Sequence, residues 1–277
     1  MKNVFQKSNL NYSLDDELAL AIALARKAGQ VIRDIRTKGY KIQEKEEQQG
    51  PVTEADQAAS DLLLEEIRQI FPHDLLISEE APLPSKANPL RRTWFIDPID
   101  GTKEFIANNG DWAVMIGLAI HGHSCLGVVY QPDLDRLYYA TKGNGAFLVK
   151  PQGTKRLKVS GTSEPTQAVL IQSHNSHNKK TEQLIAQLGI RKTLRQGSVG
   201  LKLGVIAEGR ADLYFNFSGY CHLWDLCAPE IILQEAGGGV LLSSGKSIIY
   251  NLEGIKIKEK FLAANNGLLR AVSQFIK

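Results

Sequence analysis

The chain has 277 residues, 43% hydrophobic and 23% charged, an ordinary balance for a globular protein of one large domain or two closely packed lobes. Its net charge of +3, with no run of Lys or Arg, excludes nucleic-acid binding as the organising function. Three cysteines without metal-finger spacing (Cys125, Cys221, Cys227), no apolar signal-peptide core and no apolar run longer than WAVMIGLAI predict a cytoplasmic protein with reduced thiols and no transmembrane segment.

Residues 14–36 carry a helical period through Leu18, Ile22, Ala25 and Ile32, with Ser13 as the expected N-cap and Asp15 and Asp16 in the first turn. KIQEKEEQQGPV (41–52) is polar and reads as a mobile loop, and a second amphipathic helix fits 53–70. Short apolar runs at 75–78, 93–97, 112–120, 126–131 and 137–141 predict an antiparallel meander. Beyond Lys150 strands alternate with helices: strands at 169–173, 213–217, 239–244 and 261–265, helices at 178–188, 198–208, 223–236 and 266–276. The expected architecture is layered α/β, an N-terminal α+β lobe over 1–155 and a C-terminal α/β lobe over 156–277, with a soft boundary inside one structural unit.

The chemistry concentrates in WFIDPIDGTKEFI (94–106). Asp97 ends an apolar strand, where a side chain can project into a crevice beyond the sheet. Pro98 forces a turn that can swing Asp100 back beside it. Gly101 permits close backbone approach, and Thr102 opens a short helical stretch whose free N–H groups suit a phosphate. A plain turn with Asp100 as a helix cap explains Asp100 and Thr102 but leaves Asp97 without a purpose. Glu79 and Glu80 follow another strand, where surface acids are common, and Asp225 opens an apolar helix, where an acid is usually a capping charge. Together these carboxylates match the hard oxygen ligands that Mg²⁺ needs. TEAD (53–56) has capping-box spacing, so Asp56 has a structural reading too. Gly237–Gly239 reads as a helix stop, and His174 and His177 lie in a loop that is solvated on the simplest reading.

VTEAD, SEE, DPIDGTKEF and WDLCAPEIILQEAGG, in that order over nearly the whole chain, resemble the lithium-sensitive, Mg²⁺-dependent phosphatase superfamily of inositol monophosphatase. Lys103-Glu104-Phe105 after DPIDGT looks like the 3′(2′),5′-bisphosphate nucleotidase branch, since inositol monophosphatases usually carry Thr-Asn-Phe there. SHNSH is similar, more loosely, to the Ser-x-Ser-His loop of nucleotidases. The resemblance implies a sandwich of alternating layers, α-β-α-β-α. It also implies hydrolysis of 3′-phosphoadenosine 5′-phosphate to AMP and phosphate, with a role in sulfur assimilation.

Residue by residue, the resemblance implies that Glu79, Asp97 and the carbonyl of Ile99 hold one Mg²⁺, and Asp97, Asp100 and Asp225 a second. Asp100, Gly101 and Thr102 would touch the scissile phosphate, and Glu79 and Asp225 would border the substrate. Gly197, Ser198 and Lys202 fall where relatives hold the rest of the substrate, and Lys202 and His177 are the candidates to meet the base or the 5′-phosphate; by helical pattern alone Lys202 belongs on a solvated face. Trp224 would pack beneath Asp225. The implied mechanism is in-line attack by a metal-activated water, with a second metal at the departing ribose oxygen and Thr102, hydrogen-bonded to Asp56, accepting or orienting the proton. The loop 40–52 would close over the site and help place a third, weakly held metal. Inositol phosphates or a sugar bisphosphate as substrate, and a phosphonucleotide-binding sensor with little turnover, are the competing expectations. Peripheral association with a membrane face and the choice between monomer and homodimer stay open.

Overall fold

The computed structural model describes residues 13–44, 50–84, 92–174 and 178–276. The first helix, α1 (Asp15–Lys38), starts one residue later than the predicted cap allows: Leu14 is the N-cap, while the Ser13 hydroxyl bonds the Asp15 side chain at 2.5 Å. The expected loop that follows is in part a hairpin, because β1 (Ile42–Glu44) pairs antiparallel with β2 (Pro51–Thr53). Its polar side chains concealed it, since backbone pairing there needs no buried face. The segment 45–49 lies outside the described residues. The next helix, α2 (Glu54–Ile70), opens with the capping box that TEAD announces: the Asp56 carboxylate accepts the Thr53 backbone N–H at 2.8 Å.

A seven-stranded sheet comes next. It contains β3 (Leu75–Ser78), β4 (Thr93–Asp100), β5 (Ala113–Ile120), β6 (His123–Gln131), β7 (Arg136–Thr141), β8 (Gly145–Lys150) and β9 (Gly153–Arg156), side by side in that order. The one-turn helix α3 (Thr102–Ile106) interrupts the run after β4. The meander holds from β4 to β9, but β3 pairs parallel with β4, which corrects the antiparallel expectation for residues 75–78. The stretch 79–92 is long enough to return the chain to the same end of the sheet, as a tight hairpin turn is not.

The second half builds a five-stranded mixed sheet from β10 (Val169–Gln172), β11 (Lys192–Arg195), β12 (Leu213–Asn216), β14 (Gly238–Leu242) and β16 (Phe261–Asn265), ordered β11-β10-β12-β16-β14. A separate ribbon pairs β13 (Cys221–His222) with β15 (Lys256–Ile257). The helices are α4 (Lys179–Leu188), α5 (Val199–Ala207), α6 (Leu223–Glu235) and α7 (Asn266–Val272). The last is shorter than expected because the chain tightens into a 3₁₀ turn over Ser273–Phe275. Gly237, at φ +96°, ends α6 as the glycine run indicates.

Three apolar clusters show the layers. Ala25, Ala28 and Ile32 of α1, with Ala59 and Leu63 of α2, bury against Trp94, Ile96, Val114 and Val128 on one face of the large sheet. Phe95, Met115 and Val129 face the other way, onto Leu201 of α5 and Leu226 and Ile231 of α6, which also meet Ile171 and Phe261 of the small sheet. Leu184 and Leu188 of α4 and Leu268 and Val272 of α7 cover the far side. The order α-β-α-β-α is the sandwich that the resemblance implies. Lying between two sheets, α6 is buried from Leu226 to Leu233, with Glu230 the one charged residue in that stretch. It sits so close that Gly117 and Gly127, partners across β5 and β6, have no room for a side chain. A Cβ on Gly127 would stand 2.2 Å from the Ala228 carbonyl oxygen.

Candidate active site

The site begins with one extra residue in β4. Asp97 pairs with Met115 and Asp100 with Ala113, so three steps along β4 oppose two along β5. Side chains alternate faces along a strand, and an inserted residue resets the alternation. Asp97 and Asp100 therefore share a cavity although their spacing in a regular strand would separate them. The bulge is fixed from within, as Asp97 Oδ1 accepts the Ile99 N–H at 3.0 Å. Gly101 follows at φ +98°, a conformation that favours glycine, and its Cα faces the Asp111 carbonyl and the Ser198 N–H, which leave little space for a side chain.

Thr102 donates to either of two acceptors, Asp56 Oδ1 at 3.2 Å or the Ile99 carbonyl at 3.3 Å. Asp56 thus both completes the capping box of α2 and partners Thr102, using one oxygen for each task. Burial pushes its carboxyl above the usual range; the Thr53 hydrogen bonds oppose that and the nearby Glu79 charge adds to it.

Elements from the second half close the cavity. Asp100 Oδ2 accepts Ser198 Oγ at 2.5 Å and the Gly200 N–H at 2.7 Å, tying the carboxylate to the start of α5. Lys202 is buried, only 2% exposed, and its Nζ donates to the Ser198 carbonyl at 3.0 Å over the Tyr214 ring. This corrects the solvated-face reading. From Gly200 to Ala207 α5 is buried, so its polar residue has no water to reach. Burial pulls the Lys202 ammonium down and Asp100 and Glu104 hold it up, while Asp100 is raised by burial and eased chiefly by Lys202. At the start of α6, Asp225 Oδ2 accepts the His222 N–H at 2.7 Å, the cap expected of an acid there. The adjacent Trp224 ring stacks on His222, centroids 4.6 Å apart.

Glu79, Asp97, Ile99, Asp100, Gly101, Thr102, Asp225 and the ring of His222 line one cavity of about 560 Å³, together with Lys103, Glu104, Tyr220 and Lys256. Burial pushes the Asp225 carboxyl well up, and Asp100 and then Glu79 push it further. Acids crowded this way call for a cation. Their donors are carboxylates and a backbone carbonyl, the hard oxygens that Mg²⁺ takes, so the residues fit that ion. Among the described residues no three His, Cys, Asp or Glu already form a coordination cluster. The acids line a cavity and do not complete a shell, which suits an ion that keeps several of its waters.

Gly197, Ser198 and Lys202 reach the cavity only through Asp100 and the packing around Gly101; they do not line it. His177 lies outside the described residues. His174 is exposed in its loop, as read, but not without a partner: its Nε2 stands 2.5 Å from Asp111 Oδ2, and Asp111 also accepts Gln196 Nε2 at 2.7 Å. Asp111, Gln196, Tyr220 and Lys256 escaped the sequence reading. None belongs to a periodic pattern or a spaced motif, and only the fold brings their loops together.

The profile of the inositol monophosphatase family matches residues 13–276. The chain is 38% identical over 230 residues to the 3′(2′),5′-bisphosphate nucleotidase CysQ of Salmonella typhimurium, covering 82% of this chain and 91% of the relative. It is 34% identical over 235 residues to human inositol monophosphatase 2, covering 81% and 80%. Among solved structures, the IMPase of Thermotoga maritima superposes with a TM-score of 0.79 at 29% identity, over 94% of this chain and 96% of the other. No helix among the described residues is long and apolar enough to cross a membrane.

Proposed function

The chain belongs to the inositol monophosphatase family of metal-dependent phosphatases, which generally use Mg²⁺, and we propose that within it this protein is a 3′(2′),5′-bisphosphate nucleotidase. It removes the 3′-phosphate of 3′-phosphoadenosine 5′-phosphate and yields AMP and phosphate. The observation that carries this reading is the lining of the cavity. Lys103 and Glu104, the residues that resemble the nucleotidase branch, stand in the wall beside Thr102. The 38% identity to a bisphosphate nucleotidase supports it, and the 34% identity to an inositol monophosphatase keeps inositol 1-phosphate as the competing substrate.

Glu79, Asp97, Asp225, Asp100 and the Ile99 carbonyl would hold the metal. When bound, Mg²⁺ makes water more acidic and offsets charge that builds on the phosphoryl oxygens. The chain does the rest. Gly101 and Thr102 seat the reacting phosphate, Asp100 being steered to them by Ser198 and Gly200. Thr102 Oγ1, oriented by Asp56 Oδ1, holds the attacking water in line and passes its proton toward Asp56. A pure sensor would have little use for that relay. The deciding experiment is phosphate release with Mg²⁺ from 3′-phosphoadenosine 5′-phosphate, its sulfated form and inositol 1-phosphate. A nucleotide is expected to give the highest kcat/KM; inositol 1-phosphate in first place would reject the nucleotidase assignment.

A further inference from the structure

Resting on the nucleotidase reading, we infer that the ribbon β13–β15 and the residue before it recognise the part of the substrate that does not react. The Tyr220 ring takes the base, and the Lys256 ammonium takes the second phosphate. Tyr220 is 70% exposed, more than any other large apolar or aromatic side chain among the exposed ones described. Yet it is not a stray surface residue. It lines the same cavity as Asp97, Asp100 and Thr102, and it is the only Phe, Tyr or Trp among the described lining residues.

The ribbon next to the ring is tied into the fold. Cys221 pairs with Ile257 and His222 with Lys256, Leu223 N–H donates to the Ile255 carbonyl at 2.9 Å, and Cys221 and Ile257 are buried. Lys256 Nζ stands over the Tyr220 ring, 5.0 Å from its centroid. A cation over one face leaves the other for a planar group, and every nucleobase has such a face.

Charge completes the argument. The floor of the cavity is acidic, so a second phosphate needs a cation away from the metal-holding acids. The described lining offers two, Lys103 and Lys256. Lys103 directly follows Thr102 and stands beside the phosphate that reacts. Lys202 is closed off behind Ser198. That leaves Lys256 at the ribbon for the remote phosphate. A monophosphate without a base would use neither contact.

Steady-state kinetics on three substrates separates the roles: 3′-phosphoadenosine 5′-phosphate, adenosine 3′-phosphate and glycerol 2-phosphate. Tyr220→Ala is expected to raise KM roughly tenfold for both nucleotides and to leave glycerol 2-phosphate unchanged, with Tyr220→Phe restoring the parent values. Lys256→Gln is expected to raise KM for the bisphosphate alone. Equal shifts on all three substrates, or none, would overturn the assignment. A binding measurement keeps this apart from the nucleotidase reading. The adenine H2 and H8 signals of 5′-AMP should move upfield on adding the parent protein and stay put with Tyr220→Ala. If the parent prefers inositol 1-phosphate but the shift depends on Tyr220, the base platform stands and the substrate reading falls. If a nucleotide is preferred and the shift survives Tyr220→Ala, the platform falls and the reading stands.

Discussion

Asp97 lines the cavity and Asp56 stands behind Thr102, and substitution should separate what each does. Asp97 projects from the bulge into the cavity, where a neutral amide would weaken the hold on a cation. Asp56 is buried behind Thr102, and its loss leaves the other acids in place. Asp56→Asn is expected to lower kcat by about 10²-fold, the lower end for a lost proton-transfer group, and Asp97→Asn by more. Phosphate release in saturating Mg²⁺ checks the order, and equal activity of Asp97→Asn and the parent would reject the metal assignment. Glu230 of α6 makes the stability depend on pH. It is buried, accepts the Tyr250 hydroxyl and Gln234 Nε2, and burial pushes its pKa from 4.5 up to about 7. The folded state therefore binds this proton more tightly than the unfolded chain. The resulting stability is full below the unfolded value of 4.5 and is lost as pH rises through about 7. At ~1.4 kcal/mol per pH unit the loss is about 3 kcal/mol. Urea unfolding at several pH values should show that slope, and Glu230→Gln, which keeps an acceptor for Tyr250, should flatten it.

At the scale of elements, the distance between the large sheet and α6 is set by main chain. Gly127→Ala puts a methyl against the Ala228 carbonyl, rigid backbone that cannot rotate away. A cost of about 1–3 kcal/mol is expected, together with a fall in kcat as α6 carries Asp225 out of line. Unfolding curves and phosphate release on the same sample test both, and an unchanged midpoint would mean that the helix has slack. The elements also show what could be read beforehand. The break at Pro98 was legible, although the chain bulges there and stays in β4 to Asp100 where a turn was expected, and α2 was legible because its cap and its period agree. β1, β8, β9 and β11 were not, since IQE, GAFLVK, GTKR and KTLR are short or half-exposed, and what makes them strands is a paired neighbour and not a pattern of their own. Lys202 misled for the same reason: a lysine at helical spacing means a wet face until two sheets enclose it. Asp111 draws His174 and Gln196 together through contacts no local pattern encodes.

Across the whole molecule, the acids come from both halves of the sequence: Glu79, Asp97 and Asp100 from the ends of β3 and β4, and Asp225 from the middle helical layer. A cation held among them would add a further link to layers already joined by packing and by hydrogen bonds such as those from Ser198 and Gly200 to Asp100. Mg²⁺ at about 100 times its dissociation constant should therefore stabilise the fold by about 2.7 kcal/mol, and Asp97→Asn should abolish most of that gain. Thermal unfolding with and without Mg²⁺ measures it. Calcium, larger and content with looser coordination, should give a similar midpoint while inhibiting turnover, as lithium should inhibit too; an enzyme indifferent to calcium at equal concentration would count against this site. The middle position of α6 has one more consequence, which concerns the order in which the chain is made. A ribosome delivers the large sheet with three of the acids well before α6, which brings the fourth. A nascent chain that has not reached Asp225 is therefore expected to show no phosphatase activity, however complete its first sheet.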